Sequence, residues 1–214
     1  IKKNNFDSIK KKFSKEAEYK PDRFFDLGDA FLDATGIPGP AIGHINMFLG
    51  HSDTGKTTAL VKAAIDAQKK GIVPVFIITE QKWNWDHAVL MGFDKESDYL
   101  FNSDFEYIEQ ITDYINDVLD AQEKGEIESD LLFLWDSVGS LPCQMSIDQG
   151  KNNPMWNAGA MATQFGNFIN QQFPLSRKEK YPYTNTFFVI NKTGVPPALT
   201  PMSQPRMTNK GGNT

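Results

Sequence analysis

Gly50-His51-Ser52-Asp53-Thr54-Gly55-Lys56-Thr57 fits G-x-x-x-x-G-K-[ST] at every fixed position. A match of this kind arises by chance in about one chain in a hundred of this size, given ordinary glycine usage. The flanks agree with it. Ile45-Asn46-Met47-Phe48-Leu49 reads as a buried strand, and Thr58 to Ala67 reads as a helix. In that setting the backbone amides of Gly50, His51, Ser52, Asp53, Thr54, Gly55, Lys56, Thr57 and Thr58 converge with a helix N-terminus on the β- and γ-phosphates of a nucleotide. Two glycines permit the backbone conformations of the loop, Lys56 supplies a cation, and the Thr57 hydroxyl is a ligand for Mg²⁺. The stretch implies a nucleoside triphosphate site and, around it, an α/β fold.

The 214 residues are enough for one substantial domain with a real core, and 40% hydrophobic with 23% charged residues is the balance of a globular protein. No apolar run approaches the roughly 20 residues that span a bilayer, so no membrane partner is expected. The basic N-terminus lacks a signal-peptide core. Cys143 is the sole cysteine, which excludes an internal disulfide and a cysteine metal cluster, and it reads as a small, partly buried residue. Intracellular residence is the economical expectation. A net charge of −5 argues against a uniformly basic surface, yet the positive charge is uneven. Lys2, Lys3, Lys10, Lys11, Lys12, Lys15 and Lys20 crowd the first segment, and from Phe187 onward Lys192, Arg206 and Lys210 occur with no acidic residue. Local strips of this kind can carry phosphate contacts.

Strands and helices alternate along the chain. Phe6, Ile9, Phe13 and Ala17 mark a short amphipathic helix with a lysine-rich outer face, either packed on its own domain or docking on a neighbouring subunit. Pro21 interrupts it, and Gly36-Ile37-Pro38-Gly39-Pro40 forms a turn before the first strand. Beyond the loop, Val73–Ile78, Leu131–Trp135 and Thr186–Ile190 read as buried strands, with a short apolar piece at Tyr99-Leu100-Phe101. Trp83–Met91, Phe105–Gln122 and Met155–Phe173 read as helices. This order predicts a mostly parallel sheet flanked by helices.

In open α/β sheets ligands bind beyond the carboxyl ends of strands. Four such ends carry chemistry here: the 50–57 loop, Glu80, Asp136 and Lys192. Leu131-Leu132-Phe133-Leu134-Trp135-Asp136 is an apolar strand delivering one carboxylate to Mg²⁺ or its waters, about 80 residues after the loop. Glu80 is either the base that polarises water for attack on the γ-phosphate or a solvated charge. Lys192 either contacts the γ-phosphate and its developing charge or is an exposed loop lysine.

Together these segments resemble the RecA-type strand-exchange recombinases, and within them the branch carried by bacteriophages. Phe25-Asp26-Leu27-Gly28 through Gly43-His44-Ile45 is similar to the family's approach to its first strand, and Phe76 to Asp94 aligns without a gap on its strand, catalytic glutamate and following helix. "LLFLWDSVGSL" resembles its Walker-B strand, "FFVINKTG" the strand entering its second DNA-binding loop, and "NKGGNT" the end of that loop. The resemblance implies a RecA-like P-loop core over 24–214, truncated after the second loop, with residues 1–23 as an N-terminal oligomerisation arm. It makes Glu80, Lys56 and Lys192 the catalytic residues, with Thr57 and Asp136 at the metal and Asn84 and His87 against the adenine. Trp83 and Trp85 read as core or nucleotide-adjacent packing.

Further along, 140–164 corresponds to the first DNA-binding loop and its helix, with Lys151, Asn152, Asn153 and Trp156 as contacts. The second loop, 193–213, contributes Arg206, Lys210, Gly211 and Gly212. A structureless stretch that long in a compact domain points to function or disorder. The implied activity is hydrolysis of ATP with Mg²⁺ in a helical filament on single-stranded DNA, gripped independently of sequence, with double-stranded DNA entering during homologous pairing. The implied place is the cytoplasm of a bacterial cell or phage-infected host. A ring helicase or other motor on the same fold, and a recombination mediator that does not hydrolyse ATP, are the competing readings. Three departures stand out: Lys192 occupies the family's usual Gln position, the chain stops at Thr214 where family members continue, and it begins without Met. The last two point to a trimmed or abbreviated core.

Overall fold

The computed structural model describes residues 23–80, 82–150, 153–172, 182–194 and 208–209. The expected arm at 1–23 therefore lies outside the described residues, apart from Arg23.

Five strands form a parallel sheet: β1 Ile45–Gly50, β2 Val73–Ile78, β3 Leu100–Asn102, β4 Leu131–Val138 and β5 Thr186–Gly194, in the order β1-β5-β4-β2-β3. A two-residue strand, β6 Thr208–Asn209, pairs antiparallel with the end of β5. The helices are α1 Asp29–Thr35, α2 Lys56–Lys69, α3 Trp85–Leu90, α4 Glu109–Glu123, α5 Gln144–Asp148 and α6 Pro154–Asn167, the last continued by a π-helical turn at Phe168–Gln172. The α/β architecture expected from the alternation of elements is the one observed.

The central strands are continuous apolar runs because both faces of the sheet are covered. Successive side chains alternate between the faces. Phe76, Ile78, Leu132, Leu134, Phe188 and Ile190 point to one side and pack with Leu60, Val61, Ala63, Ala64 and Ala67 of α2. Val75, Ile77, Phe133, Trp135, Phe187 and Val189 point to the other, against Ile111, Ile115, Val118 and Leu119 of α4 and Met161 and Phe165 of α6. Three alanines on the buried stripe of α2 let that helix lie close to the strands whose ends carry the chemistry. The approach to β1 is stitched to the same helix: Asp66 accepts from the Asp26 amide at 2.9 Å, and Lys62 Nζ donates to the Leu27 carbonyl at 2.9 Å. Gly39 is obligatory in that approach, since a Cβ there would sit 2.3 Å from the Phe25 carbonyl oxygen.

Phe76 is fully buried at the centre of an aromatic cluster, with ring centroids of Trp83, Trp85, Phe93, Tyr99 and Phe101 between 5.0 and 6.4 Å away. The two tryptophans are therefore packing residues, as one of the two sequence readings held. Phe76→Ala should cost about 3–5 kcal/mol through lost burial and the cavity left behind. Urea unfolding monitored by tryptophan fluorescence would measure this loss.

Several boundaries differ from the sequence reading for local reasons. The helix expected from Phe105 starts at Glu109, because Gln110 Oε1 accepts from the Glu106 amide at 2.7 Å and satisfies it outside the helix. β4 runs on through Asp136 and Ser137 to Val138, so Asp136 stands inside the strand rather than at its end. Part of the segment expected to be the first DNA-binding loop after Ser140 is helical as α5, and Asn157 of α6 holds its start, accepting from the Cys143 amide at 3.1 Å and from the Ser146 hydroxyl at 2.6 Å.

Candidate nucleotide site

The strand order places the candidate residues side by side along one edge of the sheet. Gly50, where the loop begins, pairs with Lys192 across β1 and β5, and Ile78, two residues before Glu80, pairs with Asp136 across β2 and β4. All strands of this group run the same way, so their carboxyl ends open on one side.

The loop itself is exposed from His51 to Gly55. Gly55 precedes α2 in the left-handed region, φ 82°, and Asp53 shares that region at φ 62°. Gly50 matters for space: a Cβ there would approach the Thr54 hydroxyl to 3.0 Å. No side chain caps the N-terminus of α2, so its first amides remain directed at the loop. Lys56 Nζ folds over the loop and donates to the His51 carbonyl and, at 3.3 Å, to the Thr54 hydroxyl. Cation, free amides and helix dipole thus converge on one concave surface, an arrangement suited to a polyphosphate.

Thr57 Oγ1 donates to Asp136 Oδ2 at 2.6 Å. Burial pushes the Asp136 carboxyl above its usual range, and the nearby Glu80 adds to this. The Thr57 hydrogen bond and the charges of Lys192 and Lys56 act in the opposite direction without cancelling it. A buried carboxylate held this way gains from a divalent cation. Among the described residues no three His, Cys, Asp or Glu side chains gather into a metal cluster. One hydroxyl and one carboxylate are what Mg²⁺ takes when phosphate oxygens and water complete its shell. The donor set fits Mg²⁺ arriving with a triphosphate.

Glu80 lies beside this pair. Its Oε1 receives the Ser137 hydroxyl at 2.8 Å and Lys192 Nζ at 2.5 Å. Burial alone would raise the Glu80 carboxyl, but hydrogen bonds from Lys192 and Ser137, with the charges of Lys192 and Lys82, hold it below the usual range. Glu80 is therefore ionised at neutral pH, and Oε2 has no hydrogen-bond partner among the described residues. The peptide bond joining Asp136 to Ser137 is cis.

The structure brings Lys56, Thr57, Glu80, Asp136 and Lys192 together at the carboxyl ends of β1, β2, β4 and β5. Asn84 and His87 are exposed on α3, where Asn84 Oδ1 caps the helix by accepting the His87 amide at 3.0 Å. Neither lines the cavity of about 610 Å³ beside the loop, which is walled by Phe31, Thr35, Phe48, Leu49 and loop residues. Asn153 caps α6, accepting the Met155 amide at 3.0 Å, and Trp156 packs half-buried against the second core cluster. Lys151, Asn152, Arg206, Lys210, Gly211 and Gly212 lie outside the described residues. Ser137 is the contact that sequence reasoning missed. Its position next to Asp136 was visible, but its reach to Glu80 depends on β2 and β4 being neighbours.

No protein-family model matches the chain. Comparison with characterised proteins finds RecA of Aquifex aeolicus, 37% identical over 79 residues that cover 36% of this chain and 23% of that protein. RecA of Thermotoga maritima is 29% identical over 134 residues, 62% of this chain and 35% of that protein. RecA of a Sulfurovum species is 30% identical over 134 residues, 62% of this chain and 36% of that protein. The likeness is to RecA. The matched stretches span between 23% and 36% of these relatives' lengths. Among the described residues no helix is long and apolar enough to cross a membrane.

Proposed function

We propose that this chain is the ATPase core of a RecA-like recombinase, hydrolysing ATP in a filament on single-stranded DNA and promoting homologous pairing with a duplex. The observation that carries the reading is the placing of the Thr57–Asp136 and Glu80–Lys192 pairs beside the Lys56 loop at the carboxyl ends of adjacent strands. Lys56 and the first amides of α2 bind the β- and γ-phosphates. Thr57 and Asp136 hold Mg²⁺, which when bound neutralises phosphate charge. Glu80, anchored through Oε1, offers Oε2 to the attacking water, and Lys192 lies where it can meet the γ-phosphate.

Lys192 also leads β5 toward β6, whose pairing at Thr193–Asn209 and Gly194–Thr208 closes the segment expected to be the second DNA loop. The nucleotide and DNA sites would therefore share one strand. Asn84 and His87 as adenine contacts, the DNA contacts after Ser140 and Lys192, and residues 1–23 as the arm that docks on a neighbouring subunit all belong to this proposal. So does the bacteriophage branch. Deleting residues 1–20 should abolish filaments while leaving ATP binding in place, as light scattering and nucleotide titration would show.

Similarity to RecA proteins favours this reading over a ring helicase. Electron microscopy of the chain with ATP and single-stranded DNA tests the choice: helical filaments support it, and closed hexameric rings contradict it. A pH profile tests the assignment of Glu80. Lys192 lowers the Glu80 carboxyl, so Lys192→Met should move the acid limb of kcat to higher pH. An unmoved limb would mean that Glu80 is not the group being titrated.

A further inference from the structure

Behind Glu80 stands a second hydroxyl. Ser137 Oγ is 2.8 Å from Glu80 Oε1 and 2.5 Å from Ser140 Oγ. A hydroxyl has one proton to give. The Glu80 carboxylate only accepts, so Ser137 donates to it, and Ser140 must then be the donor to Ser137. The chain of hydrogen bonds has one direction: Ser140 to Ser137 to Glu80.

The middle of this chain is held firmly. Ser137 is 1% exposed. Its amide donates to the Thr79 hydroxyl at 3.0 Å, the Thr79 hydroxyl donates to the Ser137 carbonyl at 2.9 Å, and the Thr79 amide donates to the Asp136 carbonyl at 2.8 Å. Thr79 is the residue before Glu80, so the same clasp fixes both ends of the Ser137–Glu80 bond. Ser140 is different. It is exposed and stands outside β4, on the stretch that leads through Leu141 and Pro142 to α5.

We infer that Ser137 and Ser140 are positioning residues for Glu80: their hydroxyls aim the carboxylate, and Ser140 transmits the place of the stretch before α5 to it. This inference rests on the reading of Glu80 as the base that orients water. A polarised pair of hydroxyls makes Ser137 a better donor than an isolated one. With Oε1 held by Ser137 and Lys192, the direction of Oε2 is set. Movement of the stretch before α5 would loosen the outer bond first and leave phosphate binding untouched, because Lys56, Thr57 and Asp136 take no part in the hydroxyl chain. The relay thereby connects the candidate first DNA-binding segment with the water-activating group.

The test uses the full chain with saturating single-stranded DNA and compares Ser140→Ala, Ser140→Thr, Ser137→Ala and Glu80→Gln. Ser140→Ala should lower kcat for ATP hydrolysis about five- to tenfold, the size of one lost hydrogen bond. KM should stay within about twofold, because the phosphate-binding groups keep their places. Ser140→Thr, which restores the hydroxyl, should recover most of the rate. Ser137→Ala should lower kcat further. Should that buried substitution unfold the protein, the exposed Ser140 pair still decides. Wild-type kcat in Ser140→Ala overturns the relay, as does a loss of rate that Ser140→Thr fails to repair. Full activity in Glu80→Gln would overturn the reading of Glu80 itself, a result separate from either of these.

Discussion

Glu80→Gln should lower ATP turnover by about 10²–10⁴-fold, the contribution of a positioned general base. Glutamine keeps the length of the side chain and an oxygen that can accept from Ser137 at the 2.8 Å position. It loses the negative charge that pairs with Lys192 and would take a proton from water. Nucleotide affinity should hold, because Lys56 and the amides of α2 are unchanged. The separation of binding from turnover is the informative part. Single-turnover hydrolysis beside nucleotide titration measures both, and an unchanged rate would remove Glu80 from the mechanism.

Asp136→Asn is expected to act in opposite directions on activity and stability. Burial already pushes this carboxyl upward, so its charged form is costly inside β4. Asparagine removes the charge, and its amide oxygen can still accept the Thr57 hydroxyl now 2.6 Å from Oδ2. The unliganded protein should therefore melt no lower than the parent. Mg²⁺-dependent turnover should fall by about 10²-fold or more, since the site loses its one charged metal ligand. Thermal melts without nucleotide, set beside turnover across a Mg²⁺ titration, would check the pair of effects. A markedly lower melting temperature would identify Asp136 as a structural residue instead.

The parts of this site that were legible in the sequence are those fixed by local pattern. The candidate phosphate loop has its glycines, lysine and threonine at set spacing between an apolar strand and a helix, and both elements are found there, although β1 is only partly buried where a buried strand was expected, with Leu49 48% exposed. The central strands β2, β4 and the first half of β5 were legible because both their faces are buried, so each appears as an apolar run. Glu80, Asp136 and Lys192 were findable as polar residues following such runs. Their mutual contacts were not, because the Glu80–Lys192 pair depends on the crossover order that sets β4 between β2 and β5. Ser137 escaped for the same reason.

Short elements were the least readable. α1 and α5, of 7 and 5 residues, are too brief to establish a helical period, and α5 is held by Asn157 from a different helix. The Lys192 position, where the resemblance implies glutamine, gains a physical meaning from the structure: an ammonium there helps to hold the Glu80 carboxyl below its usual range against the effect of burial. A neutral amide would supply a hydrogen bond without the charge.

The residues gathered at the carboxyl ends of β1, β2, β4 and β5 should form an ATPase that DNA controls. The most direct measurement is the steady-state rate of ATP hydrolysis by the protein with and without single-stranded DNA of mixed sequence. The expected result is a Mg²⁺-dependent rate that rises on adding DNA and disappears in Glu80→Gln. ATP hydrolysis indifferent to DNA, or no hydrolysis despite tight nucleotide binding, would contradict it.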